Sequence, residues 1–154
     1  MLAFDIVGRD GLRLKDKWAA GPRTYLGLAT AGFPNLFIIT GPGSPSVLSN
    51  MILSIEQHVD WIAGAIDAVS DRRCTQVEAT ADAEEAWTIH VDDVGKHTLY
   101  PAADSWYMGA NVPGKPRLLM PYVGGAHNYR ASCERVVADG YAGFVMSNPG
   151  DPHA

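Results

Sequence analysis

The stretch between residues 24 and 61 limits what this chain can fold into more than any other part of it. A continuous apolar run at 36–40 leads into a loop rich in Gly, Pro and Ser at 41–50, and an amphipathic helix is predicted to begin near Met51. The apolar run fits a strand covered on both faces, as in a parallel sheet, or a short buried helix. A strand that leads through such a loop into a helix start directs free N–H groups and a positive dipole end at one point. The sequence therefore predicts a site there for an electron-rich or anionic ligand.

The helix after this loop has the clearest periodicity in the chain. Ser49 or Asn50 can cap its start by accepting an orphan N–H bond, and residues 71–73 should end it. Its apolar residues repeat three and four positions apart, which places them on one stripe: Ile52, Ile55, Val59, Ile62, Ile66 and Val69.

Other elements are read from caps, turns and periodicity. A helix at 81–96 has Thr80 as its N-cap and acidic residues at its positive end, and a helix at 126–139 stops at Gly140. The buried face of the first of these should comprise Ala83, Trp87, Val91 and Val94, and its acidic start Asp82, Glu84 and Glu85. Segments 2–7 and 12–14 are expected to form a hairpin around Asp10-Gly11, and 118–123 a strand. The sum of these elements indicates the α/β class.

Composition places the chain among ordinary globular domains. Its 154 residues are 47% hydrophobic and 19% charged, which is enough to bury one core. A net charge of −5 argues against nucleic acid or an anionic membrane surface as a partner, and no apolar run approaches the ~20 residues that span a bilayer. Cys74 and Cys133 lie outside any metal-type spacing and are interpreted as reduced thiols of a cytoplasmic protein.

Several motifs in the chain mimic known sites without completing them. The loop at 41–46 resembles GxGxxG, but the acidic residue expected ~20 positions later would fall inside a helix, so a plain turn is the simpler interpretation. His58, His90 and His97 lack a completing set of metal ligands and are taken as surface or core residues. The pair Asp92-Asp93 fits a helix face better than an acid–base couple. No GxSxG nucleophile motif accompanies the Ser, His and Asp residues.

Four motifs together resemble the C-terminal part of the type I Baeyer–Villiger monooxygenases. They are TYLGLATAGFPNLF, GPGSPSVLSNMILSIEQHVDWI, SWYMGANVPGKPR and YVGGAHNYR, and the likeness extends from about residue 2 to residue 145. Within the family, the chain is most similar to the phenylacetone, steroid and cyclohexanone monooxygenase branch.

The resemblance implies a fold and a reaction. The family uses FAD and NADPH to insert one oxygen atom of O2 into a ketone, which gives an ester or lactone. The implied fold is the C-terminal portion of a flavoprotein with two Rossmann-like dinucleotide-binding domains, an incomplete sheet with packed helices. Residues 1–71 would be the C-terminal end of the FAD-binding domain, 72–146 a helical and loop segment that folds over the NADP site, and 147–154 a disordered tail.

The resemblance also implies roles for individual residues, none of them catalytic. Met51, with Asn50 beside it, would contact FAD through the backbone of the helix start, and Trp106 would bind the NADP ribose through its indole N–H. Ser46, Val47 and Leu48 match the bulge that lines the ketone site. Asn111 and Lys115 have weaker claims on the cofactor. The simpler alternatives are a plain turn at 41–46, buried side chains at 47–48 and a core or interface tryptophan.

The chain departs from the family by lacking both GxGxxG fingerprints and the signature FxGxxxHxxxW, all of which lie upstream in family members. We therefore expect a partial chain in which Met1 is an internal methionine, the N-terminal FAD and NADP domains are missing, and the residues present are inactive alone. The alternatives are an independent small non-catalytic domain that binds a ligand or partner, and one half of a split enzyme. A part of a larger enzyme should expose apolar faces and an unpaired sheet edge beside residues 36–40.

Overall fold

The described part of the chain forms four α-helices and one small sheet. The computed structural model describes residues 4–46, 49–102, 106–109 and 117–151, with only the backbone at 101 and 106. The helices are α1 (Leu14–Lys17), α2 (Met51–Asp71), α3 (Ala81–Lys96) and α4 (Ala126–Ala138), and the strands are β1 (Gln76–Ala79) and β2 (Phe144–Ser147). The strands pair antiparallel, with Gln76 opposite Ser147 and Ala79 opposite Phe144. Short 3₁₀ turns occupy Arg9–Gly11, Tyr100–Ala102 and Trp106–Met108.

The three long helices are confirmed at their predicted positions. Asn50 caps α2 by accepting a hydrogen bond from the amide of Ile52, and Thr80 caps α3 by accepting one from the amide of Ala83. At the end of α4, the amides of Gly140 and Tyr141 donate to the carbonyls of Val137 and Val136, with Gly140 at φ 72°. This is the Schellman arrangement, and the left-handed glycine explains why the helix ends there.

Two clusters of buried side chains form the core among the residues that the structure describes. The larger one joins loop residues near the N-terminus to α2, α3 and α4, so the segments on either side of residue 71 share one interior. Its buried members are Leu26, Leu28, Trp61, Ala65, Trp87, Val91, Tyr122, Tyr129, Cys133, Val136 and Tyr141. The smaller cluster consists of Leu14, Trp18, Phe33 and Ile38.

The predictions of strands at residues 36–40 and 118–123 are both wrong. At residues 36–40, Asn35 and Thr40 adopt left-handed conformations (φ 60° and 53°) at the two ends, and the amide of Ile38 bonds to the carbonyl of Leu28. No strand forms at these residues. At residues 118–123, the amide of Met120 bonds to Tyr107 rather than to one continuous partner strand. The α/β content is confirmed in coarse form, as helices packed with an antiparallel pair of strands, and the two-domain Rossmann arrangement stays a prediction.

The two ends of the chain also differ from expectation. Val7 and Arg13 form an isolated antiparallel bridge around the predicted turn, but Leu14 begins a helix rather than ending a strand, and residues 1–3 lie outside the described residues. In the predicted disordered tail, Ser147 belongs to β2, and a turn at 148–151 is closed by a bond from the Asp151 amide to the Asn148 carbonyl. Ser147 therefore belongs to the sheet, the disorder of the residues after it stays a prediction, and 152–154 lie outside the described residues.

Helix α2 buries a different face from its apolar stripe. The buried residues are Ser54, His58, Trp61 and Ala65, whereas Ile52, Ile55, Val59 and Ile66 are exposed by 66%, 38%, 45% and 55%. The expectation of an exposed apolar face is confirmed on this helix, whereas the expected unpaired edge beside 36–40 is wrong because no strand forms there. No helix within the described residues is both long and apolar enough to cross a bilayer.

Candidate functional site

A cleft of about 170 Å³ lies at the start of α2. The loop at 40–46 forms one wall, Met51 forms the helix side, and Tyr107, Met120 and Pro121 close it from the C-terminal part of the chain. The lining is mostly apolar, with prolines at 42, 45 and 121, and the hydroxyl-bearing Ser44 and Ser46 add polar groups. The cleft therefore joins the predicted ligand site to a segment about 70 positions further along the chain.

Within the described residues, the amides at the helix start are only partly satisfied. The side chain of Asn50 accepts a bond from the amide of Ile52 at 3.0 Å. Among the described residues, the amides of Met51 and Leu53 have no acceptor. The carbonyl of Ser46 accepts bonds from the amide and hydroxyl of Ser49, each at 2.9 Å, which turns the chain into the helix. The helix start thus offers N–H groups and the positive end of its dipole near the cleft.

The loop that forms the cleft wall is held rigidly by hydrogen bonds. The hydroxyl of Ser44 donates to the carbonyl of Gly41 at 2.7 Å, that of Thr24 donates to the carbonyl of Pro42 at 2.5 Å, and the indole of Trp87 donates to the carbonyl of Gly43 at 3.0 Å. Each bond comes from a different part of the chain. The loop is therefore preorganised by the fold and not by a ligand.

Extended residues on the C-terminal side complete this support. The amide of Gly43 donates to the carbonyl of Met120 at 2.7 Å, and the amide of Met120 donates to the carbonyl of Tyr107 at 2.9 Å. The amide of Tyr122 donates to the carbonyl of Ser44 at 2.9 Å. A continuous set of backbone bonds therefore connects the 106–108 turn to the loop before α2.

A buried histidine and a buried tyrosine lie behind the same loop. His58 on α2 is completely buried, and its Nδ1 accepts a hydrogen bond from the amide of Thr40 at 3.0 Å. Its Nε2 lies 3.0 Å from the hydroxyl of Tyr129 on α4, which in turn donates to the carbonyl of Leu26 at 2.7 Å. Burial lowers the pKa of His58 from 6.5 to about 4, so the ring is neutral at pH 7.

Two carboxylates accept hydrogen bonds from the loop at 30–32. Glu84 of α3 is buried and accepts bonds from the hydroxyl of Thr30 at 2.7 Å and the amide of Ala31 at 2.9 Å. Glu78 of β1 accepts a bond from the amide of Gly32 at 2.7 Å and pairs with Arg9. The sequence predicted Glu84 only as part of the acidic start of α3, and it predicted no role for Glu78.

Of the predicted site residues, the structure brings Ser46 and Met51 together in the cleft, with Asn50 as the cap beside them. Val47 and Leu48 lie outside the described residues, as do Asn111 and Lys115. Trp106 begins the 3₁₀ turn whose next residue, Tyr107, lines the cleft. The ligand roles of these residues remain predictions.

The other titratable candidates are explained by ordinary packing and pairing. The ring of His90 packs against Trp87 and Tyr122, with ring centres 5.2 and 5.6 Å away, and His58 is part of the core. Asp92 and Asp93 both pair with Lys96 at 2.9 Å on an exposed face of α3. Cys74 and Cys133 are free thiols, as predicted. No group of three or more metal-ligating side chains occurs in the part of the chain that the structure describes.

Comparison with known proteins identifies the relatives of this chain. It is 42% identical over 145 residues to the acetone monooxygenase (methyl acetate-forming) of Gordonia sp. strain TY-5, covering 94% of this chain and 27% of that enzyme. It is 40% identical over 142 residues to a Baeyer–Villiger monooxygenase of Pseudooceanicola batsensis, covering 92% of this chain and 26% of that enzyme. The chain is homologous to one portion of the Baeyer–Villiger monooxygenases. It spans about a quarter of the length of the relatives it matches.

Solved structures agree with this relationship. A cyclohexanone monooxygenase from Rhodococcus sp. Phi1 bound to NADP⁺ superposes with a TM-score of 0.89 at 41% identity, covering 94% of this chain and 27% of that one. A steroid monooxygenase bound to NADP superposes with a TM-score of 0.85 at 46% identity, covering 93% of this chain and 26% of that one. An FAD-binding monooxygenase of Aspergillus aculeatus is 32% identical over 129 residues, 84% of this chain and 22% of that protein. No family model matches the chain.

Proposed function

We propose that this chain supplies the flavin-side helix start and the C-terminal closing segment of an FAD- and NADPH-dependent Baeyer–Villiger monooxygenase. The observation that supports this proposal is the cleft at the start of α2, which Met51 and Ser46 share with Tyr107 from the turn that contains Trp106. Two of the predicted residues, Ser46 and Met51, line this cleft together with Tyr107, which comes from a segment far along the chain. The relatives named above supply the reaction class.

The residues present suit one edge of a flavin. The walls are apolar, the helix start offers N–H groups, and the loop is fixed before any ligand arrives. The volume of about 170 Å³ lies below the roughly 300–1,000 Å³ of complete ligand pockets. Such a cleft fits the exposed edge of a cofactor whose remaining surface is held by other residues, as expected for a chain that spans a quarter of its relatives.

In this arrangement the protein positions and shields, and the cofactors supply the redox chemistry. FAD, when bound, supplies the activation of oxygen, and NADPH supplies the electrons. Backbone amides near Asn50 and Met51 would stabilise negative charge on the reduced flavin. Ser46, Val47 and Leu48 would line the ketone site, and the indole N–H of Trp106 would bind the NADP ribose.

In this proposal the two successive parts of the chain have different roles. Residues 1–71 would form the C-terminal end of an FAD-binding domain with Rossmann-like topology, and 72–146 would fold over the NADP site. The shared core between these segments, in which Trp61 of α2 contacts Phe144 and Tyr141, would keep the two parts in register. The alternative is an independent non-catalytic domain that binds a ligand or partner, in which the exposed apolar face of α2 would contact that partner.

A chimera tests the proposal directly. This chain would replace the matching quarter of the cyclohexanone monooxygenase from Rhodococcus sp. Phi1, and the purified protein would be assayed for bound FAD, NADPH oxidation and ester or lactone product. We expect bound FAD and ketone-dependent turnover in the chimera, and neither in the 154-residue chain alone. A folded chimera without bound FAD contradicts the proposal, and so does flavin-dependent NADPH oxidation by the isolated chain.

Two variants of the chimera separate the predicted roles. Trp106→Phe should raise the KM for NADPH about tenfold and leave the FAD content unchanged, because one hydrogen bond to the nucleotide is lost. Trp18→Phe is the matched control, since Trp18 donates its indole N–H to the carbonyl of Arg23 in the smaller core. Val47→Ala should change the ratio of rates for bulky and small ketones. An unchanged ratio contradicts the assignment of 46–48 to the substrate site.

A further inference from the structure

The hydrogen bonds around His58 can run in one direction only. At one end, the backbone N–H of Thr40 can only donate, and at the other end the carbonyl of Leu26 can only accept. His58 Nδ1 must therefore be the acceptor, Nε2 must carry the proton and donate to Tyr129, and the tyrosine hydroxyl must donate onward. Three aligned bonds in a buried place polarise one another, and they require the neutral Nε2–H tautomer.

Both ends of this chain of bonds are residues in an unfavourable backbone conformation. Thr40 has φ 53° and Leu26 has φ 57°. The left-handed region is unfavourable for any residue with a side chain, and a β-branched residue such as threonine is rarely found there. Conformations of this kind persist where the surrounding structure holds them. The His58–Tyr129 pair is hydrogen-bonded to both of these residues, Thr40 and Leu26.

The two held residues are adjacent to the backbone of the cleft. Thr40 is the first residue of the cleft wall and precedes Gly41 directly. Leu26 precedes Gly27, which packs so closely that a side chain there would lie 2.6 Å from the Cβ of Ser44, another residue of the wall. A movement at either end would therefore displace the loop that faces the proposed flavin edge.

We propose that His58 and Tyr129 are positioning residues, which hold Thr40 and Leu26 and thereby set the backbone of the 40–46 loop at the flavin-side cleft. This inference rests on the proposed function for its flavin, although the holding of the loop does not depend on any ligand. Because Tyr129 lies on α4 and His58 on α2, the pair also ties the cleft to the C-terminal part of the chain.

Hydrogen exchange on the 154-residue chain tests the holding of the loop. In Tyr129→Phe only the hydroxyl is lost, and we expect the amides of Thr40, Gly41 and Ser44 to exchange about tenfold faster, while those of α3 keep their rates. The matched control is Tyr25→Phe, which removes a tyrosine bond to the carbonyl of Ala142 at 3.0 Å and should leave the loop unchanged. Equal acceleration at all sites, or none at the loop, overturns the inference.

A second measurement needs no variant. The imidazole ¹⁵N shifts of His58 in the unmodified chain should show the neutral ring with the proton on Nε2 and Nδ1 as an acceptor. A proton on Nδ1, or a charged ring at pH 7, overturns the proposed direction of the bonds and with it the positioning role.

The chimera distinguishes this inference from the proposed function. In a chimera that binds FAD, Tyr129→Phe should weaken flavin binding about fivefold, and Tyr25→Phe should not. If Tyr129→Phe binds FAD as tightly as its parent, the positioning role is wrong although the function stands. If the parent chimera binds no FAD, the proposed function fails, whereas faster exchange at the loop in Tyr129→Phe still supports the holding of Thr40 and Leu26.

Discussion

The carboxylate of Glu84 lies 2.8 Å from the ammonium nitrogen of Lys17, where only 6% of the glutamate side chain and 17% of the lysine side chain are exposed. The same carboxylate accepts bonds from the Thr30 hydroxyl and the Ala31 amide. One buried anion therefore links α3, α1 and the loop that precedes residues 36–40. Breaking a paired, largely buried charge leaves its partner uncompensated, which makes this contact more costly to lose than a surface pair.

Glu84→Gln tests the contribution of this anion. The amide keeps the shape of the side chain but leaves Lys17 without its counter-charge, so we expect the free energy of unfolding to fall by about 2 kcal/mol. Urea unfolding followed by tryptophan fluorescence measures the change. Glu85→Gln is the control, because Glu85 pairs with Arg23 at half-exposed positions and should change stability by less than about 0.5 kcal/mol. Equal effects of the two variants would show that Glu84 is no better paired than a surface residue.

Gly41→Ala tests the close approach of backbones at the cleft. A Cβ at residue 41 would overlap the carbonyl oxygen of Gly27 and lie 2.7 Å from Cγ2 of Ile38. We expect a loss of about 2–3 kcal/mol from overpacking, measured by thermal unfolding. Gly11→Ala is the comparison, since Gly11 has φ 78° and open space around it and should lose only about 1 kcal/mol from conformation. A Gly41→Ala variant as stable as its parent would contradict the packing described here.

The helices could be predicted because their signals are local. Asn50 and Thr80 are N-cap residues that mark the starts of α2 and α3, and the glycine at 140 marks the end of α4. The sheet could not be predicted in the same way. β1 and β2 are four residues each and lie more than sixty positions apart, and the apolar run at 36–40 looked more like a strand than either of them. Pairing across that distance leaves no local signal in the sequence.

The site could be predicted only in part, for a related reason. On α2 two faces have the spacing of a helical stripe, and the more apolar one is exposed, whereas the buried one contains Ser54 and His58. Hydrophobicity alone therefore selects the wrong face. Glu84 had an available signal, because it shares a face with Trp87 and Val91 three and seven positions later. An acidic residue on an otherwise apolar stripe indicates a buried partner, here Lys17.

Ile66→Gln tests whether the apolar stripe of α2 is a contact surface that the chain itself leaves open. Ile66 is 55% exposed, so the free energy of unfolding of the isolated chain should change by less than about 0.5 kcal/mol. The amide should reduce self-association in sedimentation experiments, because less apolar surface is exposed. Ala65→Gln is the matched control one residue earlier, where full burial makes a glutamine intolerable and unfolding is expected. A large loss of stability in Ile66→Gln would mean that the stripe is already packed.

The stability of the chain should depend on pH through His58. Burial lowers its pKa from 6.5 to about 4 in the folded state, whereas the unfolded chain takes up the proton near the ordinary value. Between these two values the unfolded state binds more protons, so the free energy of unfolding falls as the pH falls. The contribution is complete above about pH 6.5, is lost by about pH 4, and amounts to about 3 kcal/mol. Burial raises the pKa of Tyr129 and raises that of Cys133 to about 11, so neither group titrates in this window.

His58→Gln removes this titrating group. The test compares how steeply the free energy of unfolding changes with pH in the parent and in the variant, and not how stable each of them is at one pH. We expect the difference in unfolding free energy between the parent and His58→Gln to shrink from pH 7 to pH 4, since only the parent loses stability through this ring. Urea titrations at half-unit pH steps measure both proteins. A slope that is the same in the parent and in His58→Gln would mean that His58 has the same pKa in the folded and in the unfolded chain, which contradicts the lowered pKa described here.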